Sequence, residues 1–239
     1  RMSDDPPRSA ELREAVEAGF PAALADLTRL VRIPSVSWDG FDPSQVQRSA
    51  DAVAELARGT GVFESVVIVR TPIAGRQGGP GGAEDGLPAV LATRAARNGR
   101  PTVLLYAHHD VQPPGQDADW ETRPYEPTLR GDRLAGRGAA DDKAGLTVHI
   151  AAIRALVAAG VAPELGIVLY AEGEEEFGSR SLPTFLERFH DRIAADVIVV
   201  ADSGNWDLDT PALTVALRGM VGFNLRITTL GHAVHSGMF

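Results

Sequence analysis

The chain has 239 residues, 44% of them apolar, no Cys and a formal net charge of −9. That apolar share supports a globular protein with a sizeable core, and the negative balance disfavours nucleic acid and anionic membrane as partners. Without Cys there are no disulfides, no thiolate chemistry and no Cys-ligated zinc site, and a reducing compartment is the natural setting.

No run approaches the ~18 apolar residues of a membrane span. The opening RMSDDPPRSA lacks the apolar centre of a signal peptide. It reads as a disordered lead-in, its first Arg a remnant ahead of the Met, and a soluble, cytoplasmic protein is expected. Leu12, Val16, Phe20, Leu24, Leu27 and Val31 recur at helical spacing, and Pro34 ends the helix they predict. A second helix is expected over 44–58, stopped by Gly59, and FESVVIV (63–69) reads as a strand. The Gly- and Pro-rich stretch 71–88 reads as a loop. AVLATRA and PTVLLYA predict strands near 89–95 and 101–107, and the aperiodic stretch 108–127 a long functional loop. TLRGDRLAG (128–136) predicts a hairpin turning at Gly131 and Asp132. An Ala-rich helix follows over 141–159, with Leu146, Ile150, Ile153 and Val157 on one face and Gly160 as its cap. GIVLYA (166–171) is a strand, SLPTFLERFH (181–190) a helix, and DVIVV (196–200) a short buried strand.

Strands alternating with helices predict an α/β fold, a three-layer α/β/α sandwich around a mostly parallel, mixed sheet. After Pro211 the pattern changes. Val221, Phe223, Leu225 and Ile227 alternate at period two, as in an antiparallel strand with one wet face. Residues 1–211 are therefore expected to form the N-terminal part of one domain, and 212–239 the start of a second, truncated one.

Three apolar strands run into polar clusters. PTVLLYA leads to His108, His109 and Asp110; GIVLYA leads to Glu172, Glu174, Glu175 and Glu176; DVIVVA leads to Asp202. Open α/β sheets bind ligands at the carboxyl ends of their strands, so these clusters are expected to converge. Asp141 and Asp142 stand at the start of a helix, whose dipole favours anions. Crowded carboxylates repel and raise one another's pKa. Histidine with several carboxylates and no Cys is a ligand set for Zn²⁺, Mn²⁺ or Co²⁺, and cations would relieve the repulsion. The set exceeds what one ion needs, which favours two ions bridged by a shared carboxylate.

Each signal also has a plain structural reading. His109, His149, His190 and His232 read as ordinary core or surface histidines, Asp141-Asp142 as a helix cap, the glutamates as a solvated loop, and Asp202 as the start of an Asx turn. All of these would have to hold together for the site to vanish. A two-carboxylate glycosidase built on Glu175 and Glu176 is disfavoured, because neighbours on one loop rarely flank a bond from opposite faces.

AHHDVQP (107–113), GRGAADDKAG (136–145), EGEEEFGS (172–179) and ADSGNW (201–206) resemble, in order, four motifs of a family of zinc exopeptidases. That family includes carnosinase-like dipeptidases, acetylornithine deacetylase, succinyl-diaminopimelate desuccinylase, carboxypeptidase G and aminoacylase. HAVHSGMF (232–239) resembles the histidine segment of its lid domain. The resemblance implies that His108 and Asp202 ligate one metal and Glu176 the other, with Asp141 bridging both. It implies that Asp110 orients His108, that Glu175 is the general base, and that His235 reaches the substrate across a homodimer interface. Two divalent ions are implied, zinc first, with manganese or cobalt as alternatives. The implied activity is hydrolysis of dipeptides or short peptides. N-acyl amino acid deacylation is the alternative, and a non-catalytic metal-binding relative a distant one. DVQP, DDK and EGxEE look most like the dipeptidase branch, since deacylases more often carry Met where Asp142 stands. The family's last metal-binding His and most of its lid have no counterpart in the sequence, so this chain by itself is expected to be an incomplete enzyme.

Overall fold

The computed structural model describes residues 6–77, 83–160, 164–232, 235 and 237. Residues 1–5 of the expected lead-in lie outside that set, and the rest of it is helical. Helix α1 (Pro6–Val31) is followed by α2 (Pro43–Gly59), entered through Asp42, whose carboxylate accepts from the Ser44 N–H at 2.9 Å. Strand β1 (Ser65–Val69) comes next. The stretch expected as a loop over 71–88 instead pairs at its ends, β2 (Pro72–Gln77) antiparallel to β3 (Ala83–Asp85); residues 78–82 lie outside the described set. Composition could not show that the flanks pair.

Strands β4 (Ala89–Arg94) and β5 (Thr102–His108) follow, then the long loop and a hairpin of β6 (Thr128–Arg130) and β7 (Arg133–Ala135). Gly131 turns the hairpin at φ +64°, a conformation that costs glycine nothing. Helix α3 (Lys143–Ala158), strand β8 (Gly166–Glu172), helix α4 (Leu182–Ile193) and strand β9 (Val197–Val200) complete the main body.

Five strands form one sheet in the order β1-β4-β8-β5-β9. β5 is parallel to both β8 and β9, whereas β4 is antiparallel to β8 and to β1, so the sheet is mixed and its parallel half carries the polar strand ends. All seven residues of β8 are buried, as expected of a central strand covered on both faces. On one face Leu30 of α1, Val53 and Leu56 of α2 and Leu146 and Ile150 of α3 pack together with Val90, Leu169 and Ala171. On the other, Phe185, Leu182, Phe189 and Ile193 of α4 pack with Leu91, Val168 and Tyr170. This is the expected three-layer sandwich.

Two apolar segments, one read from helical spacing and one from an unbroken apolar run, are not buried as expected. Val16 and Phe20 of α1 are 53% and 63% exposed, whereas Leu30 and Val31 are fully buried. Val197 to Val200, expected as a buried strand, are exposed along the sheet edge. Periodicity identifies an apolar face but not whether a neighbour covers it.

The chain divides into two units between Asp202 and Ser203. The alternation from Val221 to Ile227 predicts a strand, yet among the described residues from Ser203 onward no strand forms. Asp207 organises a local turn there, its Oδ1 accepting from the Asp209 and Thr210 N–H groups at 2.9 and 2.7 Å. Among the described residues no helix is long and apolar enough to cross a membrane.

Gly145 lets α3 lie against the end of β9. A Cβ there would stand 1.9 Å from the Ala201 carbonyl oxygen and 2.2 Å from Asp142 Oδ1. Gly145→Ala is expected to destabilise the protein by about 1–3 kcal/mol, as overpacking of a filled interior does. Urea denaturation checks this; an unchanged midpoint would refute the close approach.

Candidate metal centre

Three strand ends and one helix start build the site. His108 is the last residue of β5, the glutamate run leaves β8, Asp202 follows β9, and Asp141 precedes α3. The parallel register sets His108 beside Glu172, so the β5 and β8 ends are level. His108 is fully buried, and its Nε2 lies 3.0 Å from Asp141 Oδ1 and 3.9 Å from both Glu175 Oε2 and Asp202 Oδ2. Two sets of ligand atoms lie within 4.8 Å of one another: His108 with Asp141 and Asp202, and His108 with Glu175 and Glu176.

The other face of the imidazole is held by Asp110. Nδ1 lies 3.1 Å from the Asp110 carbonyl oxygen and 3.3 Å from its Oδ1. Asp110 is itself buried, and its two carboxylate oxygens accept from the N–H groups of Glu175 and Glu176 at 3.2 and 3.1 Å. One carboxylate thus ties the β5 end to the β8 loop and turns Nε2 toward Asp141, Glu175 and Asp202, the arrangement that fixes a metal-ligating histidine.

The four glutamates, a single acidic cluster in sequence, separate in space. Glu172 and Glu174 are buried. Glu172 accepts from the Tyr106 hydroxyl at 2.9 Å, and burial pushes its carboxyl up to about 7. Glu174 accepts from the N–H groups of Leu87 and Ser181 at 3.1 and 2.5 Å, which pins the loop from below. Only Glu175 and Glu176, on a 3-10 turn (Glu175–Phe177), face His108. Burial raises both, and each is a neighbour to other carboxylates: Glu176 and Asp202 for Glu175, Asp141 for Glu176.

Asp141 and Asp142 also divide. Asp141 is exposed and faces His108 Nε2. Asp142 is buried, its Oδ2 accepts from the His108 N–H at 3.0 Å, and burial raises its carboxyl to about 7. Beside them Lys143 is fully buried and donates to the carbonyls of Leu30 and Ile33 at 2.9 and 2.7 Å. Burial drives this ammonium down to about 7. Its two acceptors lie at the end of α1 and just beyond, so it locks that end beneath the site.

His109, expected as a bystander, points away. It is buried, its Nε2 donates to the Pro88 carbonyl at 3.0 Å, and burial lowers it to about 4. His149 is likewise buried, paired with the Tyr106 carbonyl at 3.0 Å. His235 belongs to the second unit, where it is exposed and its Nδ1 accepts from the Gly237 N–H at 3.2 Å; several residues of its motif lie outside the described set.

Sequence reasoning assigned no role to Ser35, Ser49, Lys143, Gln112 or Trp38, and read Asp142 only as part of a helix start and as a marker of the dipeptidase branch. Ser35 and Ser49 both donate to the His109 carbonyl, at 2.7 and 3.1 Å. Gln112 and Lys143 lay within quoted motifs, which was the available signal. Nothing in the sequence marks Trp38.

The donor set is one imidazole nitrogen with carboxylate oxygens gathered about it in two groups, which fits hard or borderline divalent cations. His108 would serve as ligand, with Asp141, Asp202, Glu175 and Glu176 as the carboxylates within reach.

Several known proteins are similar to this chain. The Cys-Gly metallodipeptidase dug1 of Schizosaccharomyces pombe is 30% identical over 234 residues, 96% of this chain and 48% of the relative. The cysteinylglycine-S-conjugate dipeptidase of Corynebacterium striatum is 35% identical over 154 residues, 64% of this chain and 34% of the relative. The solved structure of the di-peptidase Dug1p from Saccharomyces cerevisiae superposes with a TM-score of 0.72 at 26% identity, covering 82% of this chain and 41% of that one. The chain thus spans half or less of the length of these relatives. The model of peptidase family M20/M25/M40 matches residues 104–234, more than half of the chain, and the chain belongs to that family.

Proposed function

We propose that the protein is a metal-dependent hydrolase that cleaves the amide bond of dipeptides or short peptides. The observation that carries this is His108 Nε2 set 3.0 to 3.9 Å from three carboxylates, with Nδ1 held by Asp110. The relatives named as dipeptidases support the substrate class. We assign His108 and Asp202 to one ion, Glu176 to a second, and Asp141 to both. Zinc suits the imidazole-carboxylate set best, and manganese or cobalt would also fit. Residues 1–211 are read as the N-terminal part of the catalytic domain and 212–239 as the opening of a lid or dimerisation domain. On this reading the enzyme is a homodimer, and His235 contacts substrate from the partner subunit. The absence of Cys supports a cytoplasmic setting.

Bound metal would polarise the scissile carbonyl and lower the pKa of water. Glu175 takes the proton of the attacking water and hands it to the leaving amine. Burial, with Glu176 and Asp202 nearby, raises its carboxyl, which favours holding a proton in transit; His108 acts the other way. Asp110 keeps the two N–H groups of the Glu175–Glu176 turn and the His108 ring in register, so the base and the ligand cannot drift apart.

In the full-length enzyme, Glu175→Gln should lower dipeptide turnover by about 10²–10⁴-fold while metal content is unchanged. Lost metal with retained turnover would overturn the assignment of base and ligand. His108→Ala should reduce the zinc retained per chain in elemental analysis; unchanged zinc would refute its role as ligand.

The histidines should separate by pH in metal-free protein. Burial acts to lower His108, but the hydrogen bond and charge of Asp110, with Asp142 and Glu175, outweigh it and raise the imidazole to about 10. His109 falls to about 4. Imidazole NMR should therefore find His108 protonated and His109 neutral from pH 5 to 8. Because the ligand must shed that proton, zinc affinity should rise by about tenfold per pH unit across this range. A His108 that titrates near 6.5, with pH-independent zinc affinity, would contradict this.

A further inference from the structure

We propose that Gln112, together with Trp38, is a positioning residue for Glu176: Gln112 holds one carboxylate oxygen so that the other is presented to the metal centre. The inference rests on reading Glu176 as a metal ligand. Gln112 Nε2 lies 2.5 Å from Glu176 Oε2 and 3.4 Å from the Glu176 carbonyl oxygen. The Trp38 indole N–H donates to that same carbonyl at 2.8 Å. The Glu176 N–H is already committed to Asp110 at 3.1 Å. The residue is therefore gripped at its N–H, its carbonyl and one side-chain oxygen, leaving Oε1 for a cation.

The grip is built into the fold. Trp38 comes from the segment after α1 and Gln112 from the segment after β5. The two segments are stitched by a parallel bridge between Val36 and Val111 and by the Val111 N–H donating to the Ser35 carbonyl at 3.0 Å. The Trp38 ring also packs 5.4 Å from the ring of Phe177, the residue after Glu176. An amide is the suitable donor here. A lysine would bring a positive charge that repels the cation, and a carboxylate would repel Glu176, whereas the amide donates without net charge. Partners of this kind tune metal affinity through the ligand they orient.

The test uses Gln112→Met, which keeps the length and removes both N–H donors, and Trp38→Phe, which keeps a ring against Phe177 and removes the indole N–H. In the full-length enzyme, zinc binding is measured by calorimetry with chelator competition, and the thermal midpoint is measured without metal. Gln112→Met should weaken one zinc ion by about 10–100-fold and leave the metal-free midpoint in place. Trp38→Phe should weaken the same ion to a smaller degree. Zinc affinity within twofold of the parent in Gln112→Met overturns the proposal. If that variant does not fold, an affinity within twofold in Trp38→Phe overturns it instead. Glu176→Gln separates the two layers: if it loses an ion while Gln112→Met does not, Glu176 is a ligand that needs no such support. If Glu176→Gln keeps full zinc binding, the ligand assignment itself is refuted.

Discussion

Asp110 is a buried carboxylate with both oxygens committed, and the site depends on it. It joins an imidazole at the end of one strand to two peptide N–H groups beyond the end of the next. Hydrogen bonds from the two N–H groups, together with the His108 imidazole, stabilise this buried carboxylate. Any cation drawn to the centre then meets the outward nitrogen of His108. The ordering also runs backward into the fold, because the loop it ties follows the most buried strand of the sheet.

Burying several acids together is costly unless each finds donors. The protein distributes that cost by depth. Asp142 lies on the His108 N–H, Glu172 on the Tyr106 hydroxyl and Glu174 on two peptide N–H groups. These inner acids shape the walls. The outer ones, Asp141, Glu175, Glu176 and Asp202, keep partial access to solvent and supply oxygens to the centre. Lys143 adds a buried amine whose N–H donors are spent on carbonyls at the α1 end, linking the helix layer to the site floor.

The long segment after β5 has a similar division. Trp120 donates to the Pro114 carbonyl at 2.7 Å, and the Arg137 guanidinium, 5.4 Å from its ring, donates to the Pro113 carbonyl at 3.2 Å. Arg137 lies in the motif that leads to Asp141. Two motifs distant in sequence therefore brace the loop that carries Gln112. Irregular backbone is held in this way by a few directed bonds where no ladder is available.

The sequence by itself determined the layer architecture, because alternation of strand and helix patterns leaves few ways to bury both faces of a sheet. It also determined which strand ends carry chemistry, since apolar runs stop abruptly at His108, Glu172 and Asp202. Four ordered motifs made the family legible as well. Only the tertiary structure decided which acids face inward. Glu174 and Glu175 are neighbours in the chain with the same side chain, yet one anchors a loop and the other faces His108; local backbone geometry, not composition, separates them. It alone brought Trp38 and Gln112 onto Glu176, because that contact spans three segments with no common sequence pattern. It also left Val16, Phe20 and β9 exposed where the apolar pattern predicts burial. Periodicity is a property of one segment, whereas burial and hydrogen-bond partnership belong to pairs of segments, and pairs exist only once the chain has folded.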